Sequence, residues 1–288
     1  MNKPILNTEF SAVFHGLKSL HPLVHCITNY VTANDCANML LACGASPVMA
    51  DEPMEVCEIT GISQGLLINI GTLNQRTVSA MLAAGKKANE LSLPVVLDPV
   101  GVGASTYRRS TAEELLKQVH FDIIRGNLSE IRCLAEQNGF TRGVDVSDED
   151  AAAEIPPEQV IRNIQNFSRE IRSVIAVSGP VDLIVDGERT ALVRNGHAMM
   201  PCVTGSGCML GAVTTAFAAA AAKLSDGLQF EAALESTAAM GICGEIAWKE
   251  LQTRHHPAGN ASYRNLLIDA MYHLNFDDLK QKARYEIR

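Results

Sequence analysis

Residues 203–208 are the most informative segment of the sequence, because a glycine-rich turn opens there directly onto a strong helix former. The letters are VTGSGC, followed by MLGAVTTAFAAAAAK. Free backbone N–H groups at a helix start, together with the helix dipole, can hold a phosphate or the charge on a transferring phosphoryl group. The same letters also suit an ordinary cap on a buried helix. This segment alone leaves both interpretations open.

A carboxylate closes an apolar run in the letters LPVVLDPVGVGAS. Asp98 ends the run and precedes Pro99, and glycines follow at 101 and 103. Ligands of open α/β sheets usually bind beyond the carboxyl ends of the strands. Asp98 would therefore present a carboxylate where a cation could bind near phosphates. A turn-forming aspartate before proline is the alternative.

A second strand end carries Arg125, Asn127 and Glu130 in the letters IIRGNLSEI. Arg125 would offset phosphate charge, and Glu130 would add a second carboxylate to that of Asp98. Mg²⁺ suits such a pair, because it keeps several waters and is shared between one or two acids and substrate phosphates. Asn127 and Glu130 are also spaced as a helix N-cap and its third helical residue. A capping arrangement without further function stays open for Glu130.

Several well-known nucleotide-binding signatures do not occur in the sequence. There is no G-x-x-x-x-G-K-[ST], no protein-kinase signature set and no G-x-G-x-x-G. Any use of ATP would therefore rely on neither a P-loop nor a protein-kinase architecture, and a Rossmann dehydrogenase is disfavoured.

Short apolar runs alternate along the chain with helix-length amphipathic stretches, which predicts βαβ units and a parallel sheet with helices on both faces. The predicted strands are 46–50, 65–70, 93–98, 121–126 and 173–179. The predicted crossover helices are 28–43, 74–91, 109–119, 127–137 and 157–170.

The second half of the chain changes pattern. VDLIVDG and RTALVRNG flank a turn at Asp186 and Gly187, which predicts an antiparallel hairpin at the later edge of a mixed sheet. Three helices then follow, at 208–223, 227–252 and 260–273, and we expect them to pack as one bundle. No repeat or linker divides the chain, and the acidic stretch 142–157 is interpreted as a surface excursion. We predict a single domain over residues 1–288.

Composition limits the possible partners and compartment. A net charge of −8 and a pI near 5.5 argue against nucleic-acid binding, which needs a concentrated basic surface. The N-terminus has no unbroken apolar stretch of signal-peptide length. The apolar run 208–222 falls short of the roughly 20 residues that span a bilayer, so we interpret it as a buried helix. We predict a cytoplasmic protein without a membrane partner.

Six motifs together resemble the hydroxyethylthiazole kinase family of the ribokinase-like superfamily. In chain order they are TNYVTANDCANMLLACGASPVMADEP, NIGTLN, VLDPVGVGAS, IIRGNLSEI, AVSG and VTGSGC. The resemblance covers roughly residues 10–280. It implies a ribokinase-like α/β fold without the β-lid of sugar kinases, commonly assembled as a homotrimer with active sites at subunit boundaries.

The resemblance implies that three residues contact the alcohol substrate. Met49 in SPVMADEP matches a thiazole-contacting methionine, and sulfur against an aromatic ring is physically sensible. Without the resemblance, Met49 would be interpreted as core packing of a strand. Asn29 lies in the TNYVTAN segment that helps to line the same pocket, and Gly205 matches a backbone contact to the substrate.

The nucleotide and the metal are assigned in the same way. Arg125 and Ser178 match ATP-contacting positions, where Ser178 keeps the hydroxyl of the usual threonine. We also assign Gly207, in the glycine-rich turn, to ATP binding. Asp98 and Glu130 match the acids that organise Mg²⁺ in the family.

Cys208 stands where ribokinase-type enzymes place the aspartate of a G-x-G-D motif. In that superfamily the aspartate accepts the proton of the substrate alcohol as it attacks the γ-phosphorus. A helix N-terminus should lower the pKa of a thiol and ATP phosphates should raise it, so the balance stays open. We assign Cys208 as the catalytic residue, acting late or weakly. A small residue that merely starts the helix is the alternative.

The reaction implied by the resemblance is phosphorylation of 4-methyl-5-(2-hydroxyethyl)thiazole by ATP, in thiamine salvage. Alternatives on the same fold are a hydroxymethylpyrimidine kinase and a small sugar kinase. A non-catalytic relative that binds a thiazole or a nucleotide is the alternative from another class.

Overall fold

The central element is one nine-stranded sheet. The computed structural model describes residues 8–137, 155–253 and 257–288, so most of the acidic stretch 142–157 lies outside the described residues. The strands are β1 (Leu23–Ile27), β2 (Ser46–Val48), β3 (Gly65–Asn69), β4 (Val95–Asp98), β5 (Ile123–Asn127), β6 (Val174–Ser178), β7 (Asp182–Val185), β8 (Thr190–Val193) and β9 (Tyr285–Ile287). The described strands all belong to this sheet, in the order β2-β1-β3-β4-β5-β6-β7-β8-β9.

Helices occupy both faces of the sheet. They are α1 (Ala12–Leu20), α2 (Ala33–Cys43), α3 (Val56–Ile62), α4 (Gln75–Glu90), α5 (Thr106–Gln118), α6 (Leu128–Gln137), α7 (Glu158–Ile171), α8 (Ser206–Leu224), α9 (Gln229–Gln252), α10 (Asn260–His273) and α11 (Phe276–Lys282). Short 3₁₀ turns span Val102–Ala104 and Met200–Cys202.

The strand directions explain where a ligand can bind. Strands β1 to β6 are parallel, and β7, β8 and β9 continue the sheet in antiparallel fashion. Strand order reverses between β1 and β3, because the chain moves from β1 outward to β2 and then returns to the other side of β1. The loops that follow β1 and β3 therefore diverge and leave a crevice at the carboxyl edge of the sheet.

Two hydrophobic cores sandwich the sheet, and alternate residues of each strand enter opposite cores. On β3, Leu66 and Ile68 face the core made with α3 to α7, whereas Leu67 faces the core made with α1, α2 and α8 to α11. On β4, Leu97 joins the first core and Val96 the second. This period of two, on strands apolar on both faces, is typical of a parallel sheet covered on both sides.

Helix α8 is long and apolar enough to cross a membrane by length and composition, but 72% of that apolar stretch is buried inside the fold. It packs against strands β1, β3 and β4 and against α9, and α9 packs against α10. The predicted helical bundle at the end of the chain is confirmed, and α8 also forms a large part of one core.

The predicted fold class is confirmed, with differences in individual elements. The hairpin β7–β8 forms around its turn, and no described strand lies outside the main sheet, so the described residues contain no β-lid. Strand β1 was not predicted. The predicted helix 28–43 begins only at Ala33, and the predicted strand 46–50 ends at Val48. Residues 28–32 instead form a loop, in which the Asn29 side chain accepts a hydrogen bond from the Thr32 backbone N–H.

Candidate active site

Five neighbouring parallel strands present a polar side chain at the carboxyl edge of the sheet. From one side to the other these are Asn29 just after β1, Asn69 at the end of β3, Asp98 at the end of β4, Arg125 on β5 and Ser178 at the end of β6. Their order in the sequence is also their order across the sheet. We call the region formed by these strand ends and the first turn of α8 the strand-end cleft.

Asp98 and Arg125 form a buried charge pair at the centre of this cleft. Nη1 of Arg125 lies 3.5 Å from Oδ1 of Asp98, and only 7% and 1% of the two side chains are exposed. Burial raises the pKa of Asp98 to about 6, while the Arg125 charge lowers it and the nearby charge of Glu130 raises it. The pair therefore keeps a carboxylate and a guanidinium together where little water can reach them.

Arg125 has hydrogen-bonding capacity left for an anion. Its Nη2 donates to Oγ of Ser178, whereas its buried Nε has no hydrogen-bond partner in the described structure. Burial of a hydrogen-bond donor without a partner costs free energy, so we expect the Arg125 Nε–H to face a ligand. This orphaned N–H fits a phosphate oxygen.

Two side-chain amides connect Asp98 to Cys208. Nδ2 of Asn69 donates to Oδ2 of Asp98 at 2.7 Å and lies 3.3 Å from the Cys208 sulfur. Nδ2 of Asn29 donates to Oδ1 of Asn69 at 3.1 Å and lies 3.2 Å from the same sulfur. The sulfur is thus the acceptor of two amide N–H groups from different strand ends.

The Cys208 sulfur is held chiefly in its protonated form. Burial is the largest cause that raises the pKa of this thiol, and the negative charge of Asp98 raises it further. Hydrogen bonds from Thr32, Asn69 and Asn29 act in the opposite direction, because they stabilise the thiolate. A thiol with a raised pKa is a poor base at neutral pH, and the late or weak catalytic role of Cys208 stays a prediction.

The glycine-rich turn brings α8 close to the strand ends. Gly205 is the N-cap of α8 with φ +87°, and no side chain of the described residues caps the first turn. A Cβ on Gly205 would lie 2.3 Å from Cγ2 of Thr32, and a Cβ on Gly207 would lie 3.0 Å from Nη1 of Arg125. Glycine is therefore required at 205 by both conformation and space. The uncapped turn leaves backbone N–H groups available for an anion.

Both carboxylate oxygens of Glu130 accept backbone hydrogen bonds. Oε1 accepts the Gly101 N–H and Oε2 accepts the Asn127 N–H, both at 2.8 Å, and Oδ1 of Asn127 accepts the Glu130 N–H at 2.9 Å. The capping arrangement considered from the sequence is therefore present. Each Glu130 oxygen keeps a lone pair that can accept a hydrogen bond from water or contact a cation.

Asp98 and Glu130 are the acidic side chains of the cleft that could bind a metal ion. No group of three or more His, Cys, Asp or Glu side chains able to hold a metal occurs among the described residues. Asp98 and Glu130 alone could not complete a coordination shell. Two carboxylates beside the unpartnered Nε–H of Arg125 nevertheless fit Mg²⁺, which takes most of its ligands from water and phosphate. They do not fit a closed site for zinc.

A cavity of 710 Å³ adjoins the cleft on the side of β6 and β7. Arg125, Ser178 and Gly207, the three residues assigned to ATP, all line it, together with Asp182 and Met240. Burial raises the pKa of Asp182 to about 7. The cavity falls within the usual size range of small-molecule and cofactor sites.

Met49 lies at the opposite side of the cleft, one residue beyond β2. The residue is 38% exposed, which disagrees with plain core packing. The following carbonyl, of Ala50, is held at 2.8 Å by Nε2 of the buried His25, which also contacts Oγ1 of Thr60 at 3.0 Å. The structure therefore brings Asn29, Gly205 and Cys208 together and leaves Met49 as a partly exposed residue of a fixed loop.

Sequence reasoning missed Asn69 and Thr32. Asn69 belongs to the NIGTLN motif, and a polar residue at the end of an apolar strand was the signal that could have identified it, as for Asp98. Thr32 lay in a segment that was predicted to be helical, so its contact with the Gly205 turn could not be anticipated.

Comparisons with known proteins agree with this geometry. The model of the hydroxyethylthiazole kinase family matches residues 14–277. A hydroxyethylthiazole kinase of Clostridium acetobutylicum is 51% identical over 271 residues, covering 94% of this chain and 97% of the relative.

Solved structures give the same result. A hydroxyethylthiazole kinase of Pyrococcus horikoshii superposes with a TM-score of 0.80 at 35% identity, covering 96% of this chain and 97% of that one. A ribokinase-like superfamily protein of Enterococcus faecalis reaches a TM-score of 0.56 at 12% identity, covering 93% and 90%, and supports the fold alone. The predicted ribokinase-like fold is confirmed.

Proposed function

Because the chain belongs to the hydroxyethylthiazole kinase family, we propose that its strand-end cleft phosphorylates 4-methyl-5-(2-hydroxyethyl)thiazole with ATP. The products are ADP and the thiazole phosphate, in thiamine biosynthesis. One observation carries this assignment to the cleft. Consecutive residues at the start of α8 serve two sites: Gly207 lines the 710 Å³ cavity, and Cys208 faces the amides of Asn29 and Asn69.

The nucleotide occupies the cavity in this account. The orphaned Nε of Arg125 and the uncapped N–H groups of α8 meet the phosphates, and Ser178 orients the guanidinium. Gly207 allows Arg125 to approach the turn closely. These groups neutralise charge and position the phosphates, which is most of what phosphoryl transfer requires.

The alcohol binds on the other side of the same turn, between Asn29, Gly205 and the Met49 loop. Its oxygen attacks the γ-phosphorus, so that a new O–P bond forms while the bond from that phosphorus to the β–γ bridging oxygen breaks. The bridging oxygen leaves with ADP. The alcohol proton passes late to a phosphate oxygen or, in the minor fraction of the protein whose Cys208 is a thiolate, to that sulfur, because a loose transition state makes little demand on a base.

A magnesium ion would be held by Asp98 and, through water, by Glu130. The ion supplies charge neutralisation at the phosphates. Asp98 serves this role only as a carboxylate, and the Arg125 and Asn69 contacts both favour its charged form.

The assembly is a homotrimer in this account. Apolar side chains are exposed around the β1–β2 edge, namely Tyr30, Val31, Met54 and Ile62, and Met49 lies beside them. A neighbouring subunit that covered this surface would also enclose the thiazole. Light scattering should therefore give three times the 31.0 kDa chain mass, and a monomer would contradict the assembly. We further propose that the chain is one domain and that it acts in the cytoplasm, without nucleic-acid or membrane partners.

Product identification tests the function. The protein is incubated with Mg-ATP and the thiazole alcohol, and mass spectrometry looks for the phosphate ester. Asp98→Asn is the matched control, since it keeps the size of the side chain and removes its charge. Formation of the ester by the wild type, at a rate reduced at least about 100-fold in Asp98→Asn, is the expected result. Absence of the ester with both proteins would refute the proposal.

A further inference from the structure

The side chain of Asn69 touches both Asp98 and Cys208. We propose that Asn69 is a positioning residue for phosphoryl transfer, whose amide holds the Cys208 sulfur at a fixed place relative to the Asp98 carboxylate. This inference rests on the proposed function of the cleft and adds a residue to it.

Two backbone N–H groups fix the orientation of both amides. Oδ1 of Asn69 accepts the N–H of Gly71 at 2.9 Å, so its Nδ2 must face Asp98 and Cys208. Oδ1 of Asn29 accepts the N–H of Thr32 at 3.1 Å, so its Nδ2 faces Asn69 and Cys208. An amide flip would place an NH₂ group against a backbone donor in each case.

Each amide nitrogen has two hydrogens, and each has two acceptors. Asn69 gives one hydrogen to Asp98 and one to the sulfur, and Asn29 gives one to Asn69 and one to the sulfur. The buried donors of this network are thus fully used. A shift of the sulfur would leave two N–H groups without an acceptor, which opposes such a shift.

Space around the amides is also restricted. A Cβ on Gly71 would lie 2.9 Å from Oδ1 of Asn69 and 3.0 Å from Nδ2 of Asn29. Nη2 of Arg108 donates to the Gly71 carbonyl at 2.6 Å and its Nη1 donates to the Val100 carbonyl, so one guanidinium joins the loops that follow β3 and β4. The loops after β3 and β4 are thus fixed relative to each other, and Gly71 packs closely against the Asn69 amide.

The contacts of Asn69 link the two halves of the proposed reaction site. The alcohol oxygen must approach the γ-phosphorus beside the sulfur, while the phosphates are placed by groups around Asp98 and Arg125. Asn69 is the single side chain among the described hydrogen bonds that contacts both Cys208 and Asp98. Small errors in the placement of reacting groups reduce rates strongly. Loss of Asn69 should therefore lower kcat more than it changes either KM.

A double-mutant cycle tests the inference. Asn69→Ala is measured in the wild type and in Cys208→Ala, with kcat and both KM values determined for each protein. We expect Asn69→Ala to lower kcat about tenfold in the wild type with KM values changed less than about threefold. In Cys208→Ala the same substitution should have an effect at least about threefold smaller, because there is no sulfur left to hold.

Two further variants control for folding. Asn89→Ala removes an amide that makes two backbone hydrogen bonds to His120, far from the cleft, and should leave kcat unchanged. Asn69→Asp keeps the acceptor for the Gly71 N–H and replaces both donors by an oxygen facing Asp98, so it should be slower than Asn69→Ala. Thermal unfolding of each protein establishes that it is folded under assay conditions. If Asn69→Ala does not fold, the cycle is run with Asn69→Ser, which also removes the amide and adds no charge, and the same threefold criterion applies.

Several outcomes would overturn the inference. These are an equal loss of kcat in both backgrounds, a Cys208→Ala enzyme as fast as the wild type, and a loss confined to KM. Failure of the proposed function is a different result, since the wild type itself would then show no turnover that depends on the thiazole alcohol.

Discussion

Nδ2 of Asn29 lies 3.2 Å from the sulfur of Cys208, although the two residues are 179 positions apart in the sequence. One belongs to the loop after β1 and the other to the first turn of α8. The contact therefore ties the glycine-rich turn to the point where strand order reverses. The proposed chemistry depends on this closure, because the alcohol and the nucleotide meet at that turn.

Replacement of Cys208 by aspartate should retain or raise kcat. The carboxylate would accept the same amide N–H groups as the sulfur and would be a stronger base than a thiol with a raised pKa. Cys208→Ala should slow turnover by less than the roughly 10²–10⁴-fold usual for removal of a general base. Steady-state assays of both variants measure this, and complete inactivity of Cys208→Asp would contradict the weak role given to the sulfur.

Arg125→Lys should raise the KM for ATP at least about tenfold, because lysine cannot supply the orphaned Nε–H together with the contacts to Asp98 and Ser178. The KM for the alcohol should change much less. Arg162→Lys, at an exposed arginine of α7, is the matched control. Equal changes in both KM values would argue against a nucleotide role.

Much of the fold could be predicted because its strands are apolar on both faces and are separated by helix-length segments. Strand β1 could not, because five letters, LVHCI, following a proline contain a histidine that looks polar. In the structure His25 is buried and makes two hydrogen bonds. The loop at 28–32 was also missed. A hydrogen bond from the Thr32 backbone N–H to the Asn29 side chain holds this segment outside the helix, so that α2 begins only at Ala33.

The meeting of Asp98 and Arg125 was predictable, because Asp98 ends an apolar strand and Arg125 lies within the last three residues of the neighbouring one. Asn69 also ends an apolar strand, but its contact with Cys208 joins residues 139 positions apart, and spacing could not reveal that contact. For Glu130 the sequence allowed a capping role and a metal role. The structure contains the cap, and the metal role stays a proposal.

Gly205→Ala should abolish most of the activity, with a loss of at least about 100-fold. The added methyl group would lie 2.3 Å from Cγ2 of Thr32, and the backbone there has φ +87°. Adding Thr32→Ser should restore part of the rate by removing that methyl contact. Gly61→Ala, which has open space around it, should have no effect on kcat. Full activity of Gly205→Ala would refute the required close approach.

Glu235 should make stability decrease as the pH rises. This buried side chain of α9 accepts the backbone N–H groups of Ser11 and Phe14 at the start of α1. Burial raises its pKa from 4.5 to about 7, so the folded protein binds the proton more tightly than the unfolded chain does. The stabilisation is fully present below pH about 4.5 and is lost as the pH rises through about 7.

Urea unfolding of the wild type and Glu235→Gln at pH about 5 and about 7.5 measures this effect. Asp98 and Asp182 titrate in the same range, but they are present in both proteins and cancel in the difference. The wild type should lose about 1–3 kcal/mol relative to Glu235→Gln between these pH values. A difference in unfolding free energy between the two proteins that does not change with pH would contradict the prediction.

The most direct test of the proposed activity is ADP release with Mg-ATP and a panel of acceptors. The panel contains the hydroxyethylthiazole, hydroxymethylpyrimidine, ribose and no acceptor, and Asp98→Asn is measured beside the wild type. We predict that the thiazole alcohol alone stimulates ADP release and that Asp98→Asn loses the stimulation. Stimulation by another acceptor in place of the thiazole, or by none, would contradict the account.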